Sequence, residues 1–334
     1  MKTILKTLLE GRSLARSEAA RAMRLIMSGT PAPEQIAAFL AALSAKGETA
    51  EEIAGLVETM REHAVRVHAR RRDLLDNCGT GGDQSGTFNI STAASLVLAA
   101  AGAAVAKHGN RSVSSSCGSA DILEHLGVPV RLGPEAAARS IDTLNFAFLF
   151  APLYHPSLKH AGPVRKAIGV RTVFNLLGPL ANPAGVKRQV VGVYDRKFHR
   201  PLAEVLRGLG TEEAMIVTGE SGVDEISLSG ETAVTHLKDG DISVFSIKPE
   251  DFGLERKAPE AVSGGSVPAN AAILTELFSG KKGPYRDVVA LNAAAGFWVS
   301  GIEKDMKNGI ALAGRILDSG KAAGLLDRLR DFKE

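Results

Sequence analysis

Asp76-Asn-Cys-Gly-Thr-Gly-Gly-Asp83, followed by Thr87-Phe-Asn-Ile-Ser-Thr92 and an Ala-rich run to Ala101, decides the fold. A glycine-dense turn feeds a helical segment, Thr92 to Ala101, and then a short apolar strand, Ala103 to Lys107. Such a turn–helix–strand unit belongs to an α/β domain. Gly79, Gly81 and Gly82 let backbone amides turn inward and approach an anion closely. Asn89, Ser91 and Thr92 add amide and hydroxyl donors where the helix begins, and the helix N-terminus itself favours negative charge. The spacing fits neither Gly-x-Gly-x-x-Gly nor Gly-x-x-x-x-Gly-Lys-Ser/Thr, so it marks neither a dinucleotide fold nor a P-loop. It reads as a phosphate cradle.

The same alternation continues downstream. Strands are expected at Phe146 to Phe150, Gln189 to Tyr194 and Ala214 to Thr218, with helices at Ala120 to Leu126, Pro134 to Leu144 and Phe198 to Leu209. This pattern predicts a mostly parallel central sheet. Glu225 to Leu228, Ala233 to Leu237 and Ile242 to Ile247 follow in quick succession, as an antiparallel addition would, and helices at Asn270 to Phe278, Val288 to Ser300 and Met306 to Leu326 close the chain. Upstream, apolar residues at helical spacing place helices at Lys2 to Leu9, Ser17 to Met27, Glu34 to Ala45 and Ala50 to Val65. Pro33 suits a first helical turn, Gly47 a helix end, and Thr49 with Glu52 a capping box. The expected architecture is a small N-terminal helical domain, residues 1–68, beside a large α/β domain, residues 73–334.

Composition narrows the class. With 334 residues, 45% of them apolar, and mean hydropathy near zero, the chain has the balance of a soluble protein large enough for two units. No apolar run reaches the length of a membrane helix, and Met1-Lys-Thr-Ile-Leu-Lys does not open a signal peptide. Two cysteines, Cys78 and Cys117, make no disulfide framework, so a cytoplasmic protein without a membrane partner is expected. Forty Lys and Arg against 37 Asp and Glu give a net charge of only +3. The one dense basic run, Arg66 to Arg72, suits a helix C-terminus better than a nucleic-acid surface, and no nucleic-acid partner is expected.

Three further clusters carry chemistry. Lys107-His-Gly-Asn-Arg-Ser-Val-Ser-Ser-Ser-Cys-Gly-Ser119 puts cations, hydroxyls and glycines on one loop that enters a helix at Ala120, as a second polyanion site would. Gly219-Glu-Ser-Gly-Val-Asp-Glu225 supplies two adjacent carboxylates, which act jointly only from a turn because strand neighbours face opposite ways. Magnesium is held by one or two carboxylates together with substrate phosphates and water. His155-Pro156 and the run Arg165 to Pro183 complete the set, Arg165 offering a planar fork for a carboxylate. No Ser/His/Asp set or zinc-ligand spacing points to hydrolysis, and no side chain is assigned as a general acid or base.

These motifs in this order resemble the anthranilate phosphoribosyltransferases, a family of nucleoside-phosphorylase-like glycosyltransferases. The likeness rests on Gly-Thr-Gly-Gly-Asp with Asn-Ile-Ser-Thr, Lys-His-Gly-Asn-Arg-Ser, Arg-Thr-x-Phe-Asn-x-Leu-Gly-Pro-Leu and the Asp-Glu pair. It implies transfer of the phosphoribosyl group of 5-phosphoribosyl 1-diphosphate to anthranilate, with Mg2+, in tryptophan biosynthesis. It also implies a homodimer built through the helical domain, which a segment near 165–183 rejoins. By matching position, Gly79, Gly82, Asp83, Thr87, Asn89, Ile90, Ser91 and Thr92 resemble donor-binding residues. So do Lys107, His108, Gly109, Asn110, Arg111, Ser112, Val113, Ser114, Ser115 and Ser119 of the second loop. Gly79, Asn110 and Arg165 are similar to acceptor contacts, and Ser91, Asp224 and Glu225 to magnesium ligands. A pyrimidine nucleoside phosphorylase would share the fold, but that family's lysine- and serine-rich nucleoside motifs are missing. A nucleic-acid-binding relative would be expected to lose the intact Asp224-Glu225 pair.

Overall fold

The computed structural model describes residues 1–83, 85–111 and 117–333. Four helices come first: α1 (Lys2–Leu9), α2 (Arg16–Met27), α3 (Pro33–Lys46) and α4 (Ala50–Glu62). Thr49 caps α4 by accepting the Glu52 N–H at 3.3 Å, while the Glu52 carboxylate accepts the Thr49 N–H at 2.8 Å. Helix α4 stops at Glu62, short of the expected Val65. The Val65 N–H goes to the Tyr154 carbonyl at 2.9 Å and the Val67 N–H to Pro183 at 3.2 Å, so distant partners pull the chain out of the helix.

The rest alternates as an α/β unit: β1 (Leu74–Gly79), α5 (Ile90–Ala100), β2 (Ala104–Gly109), α6 (Ser119–His125), α7 (Pro134–Leu144), β3 (Phe146–Phe150), α8 (Ala151–Tyr154), α9 (Ala161–Ile168) and α10 (Phe174–Leu180). Then come β4 (Arg188–Gly192), α11 (His199–Gly208), β5 (Glu213–Thr218), β6 (Thr232–Lys238), β7 (Asp241–Ile247), α12 (Val267–Phe278), α13 (Pro284–Ser300), α14 (Met306–Asp318) and α15 (Lys321–Arg330). The seven strands form one sheet in the order β3-β2-β1-β4-β5-β6-β7. Strands β1 to β5 are parallel, and β6 and β7 add antiparallel.

Three expectations need correction. Strand β1, at the centre of the sheet, falls where the sequence points to the start of the glycine turn, because Asp76 and Asn77 look like loop residues; both are buried here and hydrogen-bonded. Glu225 to Leu228 is not a strand. Its Ile226 N–H and carbonyl are taken by the Asn292 side chain, both at 2.9 Å, and the Ser227 N–H by Thr232 Oγ1 at 3.0 Å. The expected helix Met306 to Leu326 is two helices, broken at Gly320, whose φ of +71° no interior helical residue adopts.

One face of the sheet packs on α5, α12, α13 and the C-terminal helices, and the other on α11 and the N-terminal bundle. Phe174, Leu176, Leu177 and Leu180 of α10 are buried in the same apolar cluster as Ile36, Phe39 and Leu40 of α3. At about 1.5–3 kcal/mol for each such side chain, packing holds α10 and its flanks against the bundle. Strand order reverses between β1 and β4, and in open α/β sheets ligands bind in the crevice outside the carboxyl ends at that point. Among the described residues no helix is long and apolar enough to cross a membrane.

Candidate active site

At the reversal point Gly79 ends β1 opposite Gly192, which ends β4. The turn carrying Asp224 and Glu225 lies directly over them. A Cβ on Gly192 would sit 1.6 Å from the Asp224 carbonyl oxygen, and one on Gly79 would sit 2.2 Å from Asp224 Oδ2. Gly192 admits no larger residue without moving the turn's backbone, and at Gly79 the Asp224 carboxylate would have to swing away.

The two carboxylates reach across to the glycine loop and the start of α5. Asp224 Oδ2 accepts the Gly81 N–H at 2.7 Å, and Glu225 Oε1 accepts the Ser91 N–H at 3.0 Å. Two amides expected to face a phosphate are thus held by the two carboxylates expected to face a metal. Asp83 joins them: its Oδ2 accepts the Asp224 N–H at 3.4 Å. Burial, and then the negative charge of neighbouring Asp83 for Asp224 and of Asp224 for Glu225, raises both carboxyl groups well above the ordinary range. Beneath them Lys107, 1% exposed, donates to the Asn77 carbonyl at 2.7 Å and to Ser91 Oγ at 3.4 Å, a buried cation that partly offsets Glu225.

The other expected donor residues are spread around this centre. Ile90 and Thr92 have side chains in the core, leaving their backbone at the α5 N-terminus. Asn89 is oriented by Asn270, whose Nδ2 donates to its Oδ1 at 3.0 Å, and Thr87 bridges to Ser263. Gly82 offers its carbonyl to the Arg171 guanidinium, which lies 4.2 Å over the Tyr194 ring. Gly109 ends β2. Ser119 Oγ donates to the Asn110 carbonyl at 3.2 Å, folding that loop onto the start of α6. Arg111 is turned to Asp121 at 2.9 Å and Glu124 at 2.8 Å, so its guanidinium is already paired. Ser112, Val113, Ser114 and Ser115 lie outside the described residues.

His108 bonds the Gly178 carbonyl through Nδ1 at 3.0 Å, which requires the Nδ1–H tautomer, and its ring stands 5.2 Å from that of His155. Burial, and for His108 also the neighbouring His155, lowers His108 to about 3 and His155 to about 4, so both are neutral. Arg165, on α9, is half-buried with its guanidinium 5.1 Å over the Phe174 ring, and burial lowers its pKa. Among the described residues it forms no ion pair, and no hydrogen bond joins it to Gly79 or Asn110. Asn292 and Asn270 are absent from the sequence-based site. Asn292 fixes the backbone of Ile226, immediately after the carboxylate pair. An Asn inside the apolar run Leu291-Asn-Ala-Ala-Ala is the sequence signal for it.

Among the described residues no three His, Cys, Asp or Glu side chains converge as a protein-only metal cage. Two half-buried carboxylates with a serine hydroxyl alongside are instead an oxygen donor set that fits a cation completed by substrate phosphates.

Residues 71–323 match the family model for the glycosyl transferase family a/b domain, and residues 2–64 that for its helical bundle domain. An anthranilate phosphoribosyltransferase from Symbiobacterium thermophilum is 49% identical over 332 residues, covering 99% of this chain and 97% of the relative. The crystal structure of anthranilate phosphoribosyltransferase from Thermus thermophilus superposes with a TM-score of 0.93 at 46% identity, over 98% of each chain. The Saccharomyces cerevisiae enzyme, in complex with PRPP and Mg, gives a TM-score of 0.91 at 30% identity, covering 98% of this chain and 96% of that one. The chain therefore belongs to the anthranilate phosphoribosyltransferases, within the glycosyl transferase family that joins a helical bundle to an α/β domain.

Proposed function

We propose that this chain transfers the phosphoribosyl group of 5-phosphoribosyl 1-diphosphate to the amine of anthranilate, releasing pyrophosphate, as a step of tryptophan biosynthesis. One observation carries the reading: the Asp224–Glu225 turn is folded over the carboxyl ends of β1 and β4 onto the amides of Gly81 and Ser91. Anion-binding amides and cation-binding carboxylates there face the same small volume, as a metal diphosphate requires.

In this reading Ser91, Asp224 and Glu225 hold Mg2+, which neutralises charge on the departing pyrophosphate. The glycine loop, the α5 N-terminus and the loop from Lys107 to Ser119 bind the donor's phosphates through amides and hydroxyls. The donor's C1–O bond breaks toward pyrophosphate, leaving an oxocarbenium-like ribose. The amine lone pair then forms the new C1–N bond, and its spare proton leaves to pyrophosphate or solvent. Anthranilate's amine carries a free lone pair at neutral pH, so no strong base is needed before attack. Arg165, with Gly79 and Asn110, orients the acceptor through its carboxylate. A yeast relative is known in complex with 4-fluoroanthranilate, a close acceptor mimic. The helical unit 1–68, rejoined by the segment near 165–183, forms the acceptor side and a homodimer contact; residues 73–334 form the donor side; and the enzyme works in the cytoplasm.

The test mixes the protein with donor, Mg2+ and anthranilate and follows anthranilate fluorescence. Loss of fluorescence that stops in excess chelator supports the proposal, and stable fluorescence over many enzyme equivalents refutes it.

A further inference from the structure

Asp76 and Asn182 bracket motifs already described, yet neither has a part in the mechanism above. Both are 0% exposed. Asp76, on β1, accepts the His108 backbone N–H at 3.2 Å, Asn182 Nδ2 at 2.8 Å and the Cys78 thiol at 3.4 Å. The His108 amide and the Asn182 side chain can only donate to it, so these two bonds hold the Asp76 oxygens as acceptors, although burial raises its carboxyl above the ordinary range. Asn182 gives its second amide hydrogen to the Ala106 carbonyl of β2 at 2.8 Å, and its oxygen accepts the Ala184 N–H at 2.9 Å. His108 is gripped twice, by Asp76 through its backbone and by Gly178 through its ring. The last carbonyls of α10 are held from other elements as well, Pro179 by Gln189 Nε2 and Leu180 by Arg61 Nε, each at 2.7 Å.

We infer that Asp76 and Asn182 form a buried clamp of positioning residues that locks the donor-side loop leaving β2 to the acceptor-side segment ending α10. The clamp rests on the function proposed above. His108 and Gly109 lead directly into Asn110, whereas Asn182 sits just beyond α10, whose Phe174 carries the Arg165 guanidinium. A single carboxylate thus sets the register between two loops that must present two substrates to one another. Preorganised loops are ordered during folding rather than at binding, so loosening them weakens binding of both substrates. Once both substrates are bound the loops are re-formed, and turnover changes less.

The experiment compares wild type, Asn182→Ala and Ser140→Ala in steady-state transfer, well below any Tm. Ser140 Oγ donates to the Phe146 carbonyl at 2.6 Å, at the opposite end of the sheet, and reports the effect of losing a buried hydrogen bond away from the site. Asn182→Ala is expected to raise KM for both substrates about tenfold while kcat falls less than about threefold, with Ser140→Ala within about twofold of wild type on both. Asn182→Ser, which keeps one donor for Asp76, should fall between, and it is the variant read if alanine does not fold. KM values within about twofold of wild type for the residue-182 variant, or a KM rise equally large in Ser140→Ala, overturn the clamp. If neither 182 variant folds, the network is a requirement of folding and the inference is likewise overturned. A wild type that transfers nothing refutes the function proposed above instead.

Discussion

Replacing Arg165 by alanine tests the acceptor site most sharply. Its guanidinium is half-buried, stacked on Phe174 at 5.1 Å, and has no carboxylate partner among the described residues. Burial that lowers its pKa means the charge is only partly solvated, so an arriving carboxylate gains more from it than from an exposed arginine. A charge-assisted contact of this kind contributes about 1.5–3 kcal/mol, or roughly ten- to a hundredfold in affinity. Losing the stacking on Phe174 costs stability of about 0.5–1 kcal/mol, too little to unfold a domain. Arg165→Ala should therefore raise KM for anthranilate roughly ten- to a hundredfold and leave that for the donor nearly unchanged. Arg165→Lys should recover only part, because it keeps the charge but not the planar fork. Aniline, without the carboxylate, should be a poor substrate for wild type and lose little more in the variant. Equal losses with both acceptors, or a raised donor KM, would refute the assignment and make Arg165 a structural or phosphate-binding residue.

Asp224→Ala/Glu225→Ala should lower turnover by about a hundredfold or more, by analogy with loss of an electrostatic stabiliser, while circular dichroism stays native; full activity would sink the metal assignment. Because burial and like charge raise both carboxyl groups in the folded state, that state holds protons the unfolded chain has released. The stability of the metal-free protein relative to the Asp224→Ala/Glu225→Ala variant should then fall as pH rises from the ordinary carboxylate range through neutrality, and Mg2+ should restore it; a Tm difference that grows in favour of wild type over that window contradicts this. His108, His155 and His199 are lowered to about 3, 4 and 4, so they reduce stability as pH drops below about 6.5, where the unfolded imidazoles take up protons; in the Asp224→Ala/Glu225→Ala variant, which removes the opposing carboxyl effect, a denaturation midpoint constant from about pH 7 to 4.5 would refute it. Leu9, 78% exposed on α1, belongs to an apolar helical unit expected to pair with a second copy; light scattering should give twice the chain mass, and a monomer at micromolar concentration contradicts the dimer.

Most elements are legible because their apolar spacing is undisturbed: α7 and β3 fall at the expected residues. What escapes a sequence reading is secondary structure satisfied by side chains from far away. Strand β1 hides behind Asp76 and Asn77, polar residues whose side chains are engaged from elsewhere: Asn182 and the His108 amide donate to the Asp76 carboxyl, and Asn77 Nδ2 donates to the Ser91 carbonyl. Residues 225–228 alternate like a strand, burying Ile226 and Leu228, but Asn292 replaces the neighbouring strand. The anion loops are legible as glycines and hydroxyls at a helix start, and the carboxylate pair as a turn. That these two features are hydrogen-bonded to each other, and that Arg111 is tied to Asp121 and Glu124, depends on contacts no local pattern encodes.

The central claim is that one site binds a magnesium diphosphate and an aromatic amine and exchanges a C1–O bond for a C1–N bond. The most direct measurement counts anthranilate consumed and pyrophosphate released in the same sample of wild-type protein with donor and Mg2+. The account predicts that the two amounts are equal, and that both are zero when either substrate is withheld. Pyrophosphate released without consumption of anthranilate, or anthranilate left untouched by saturating donor, would contradict it.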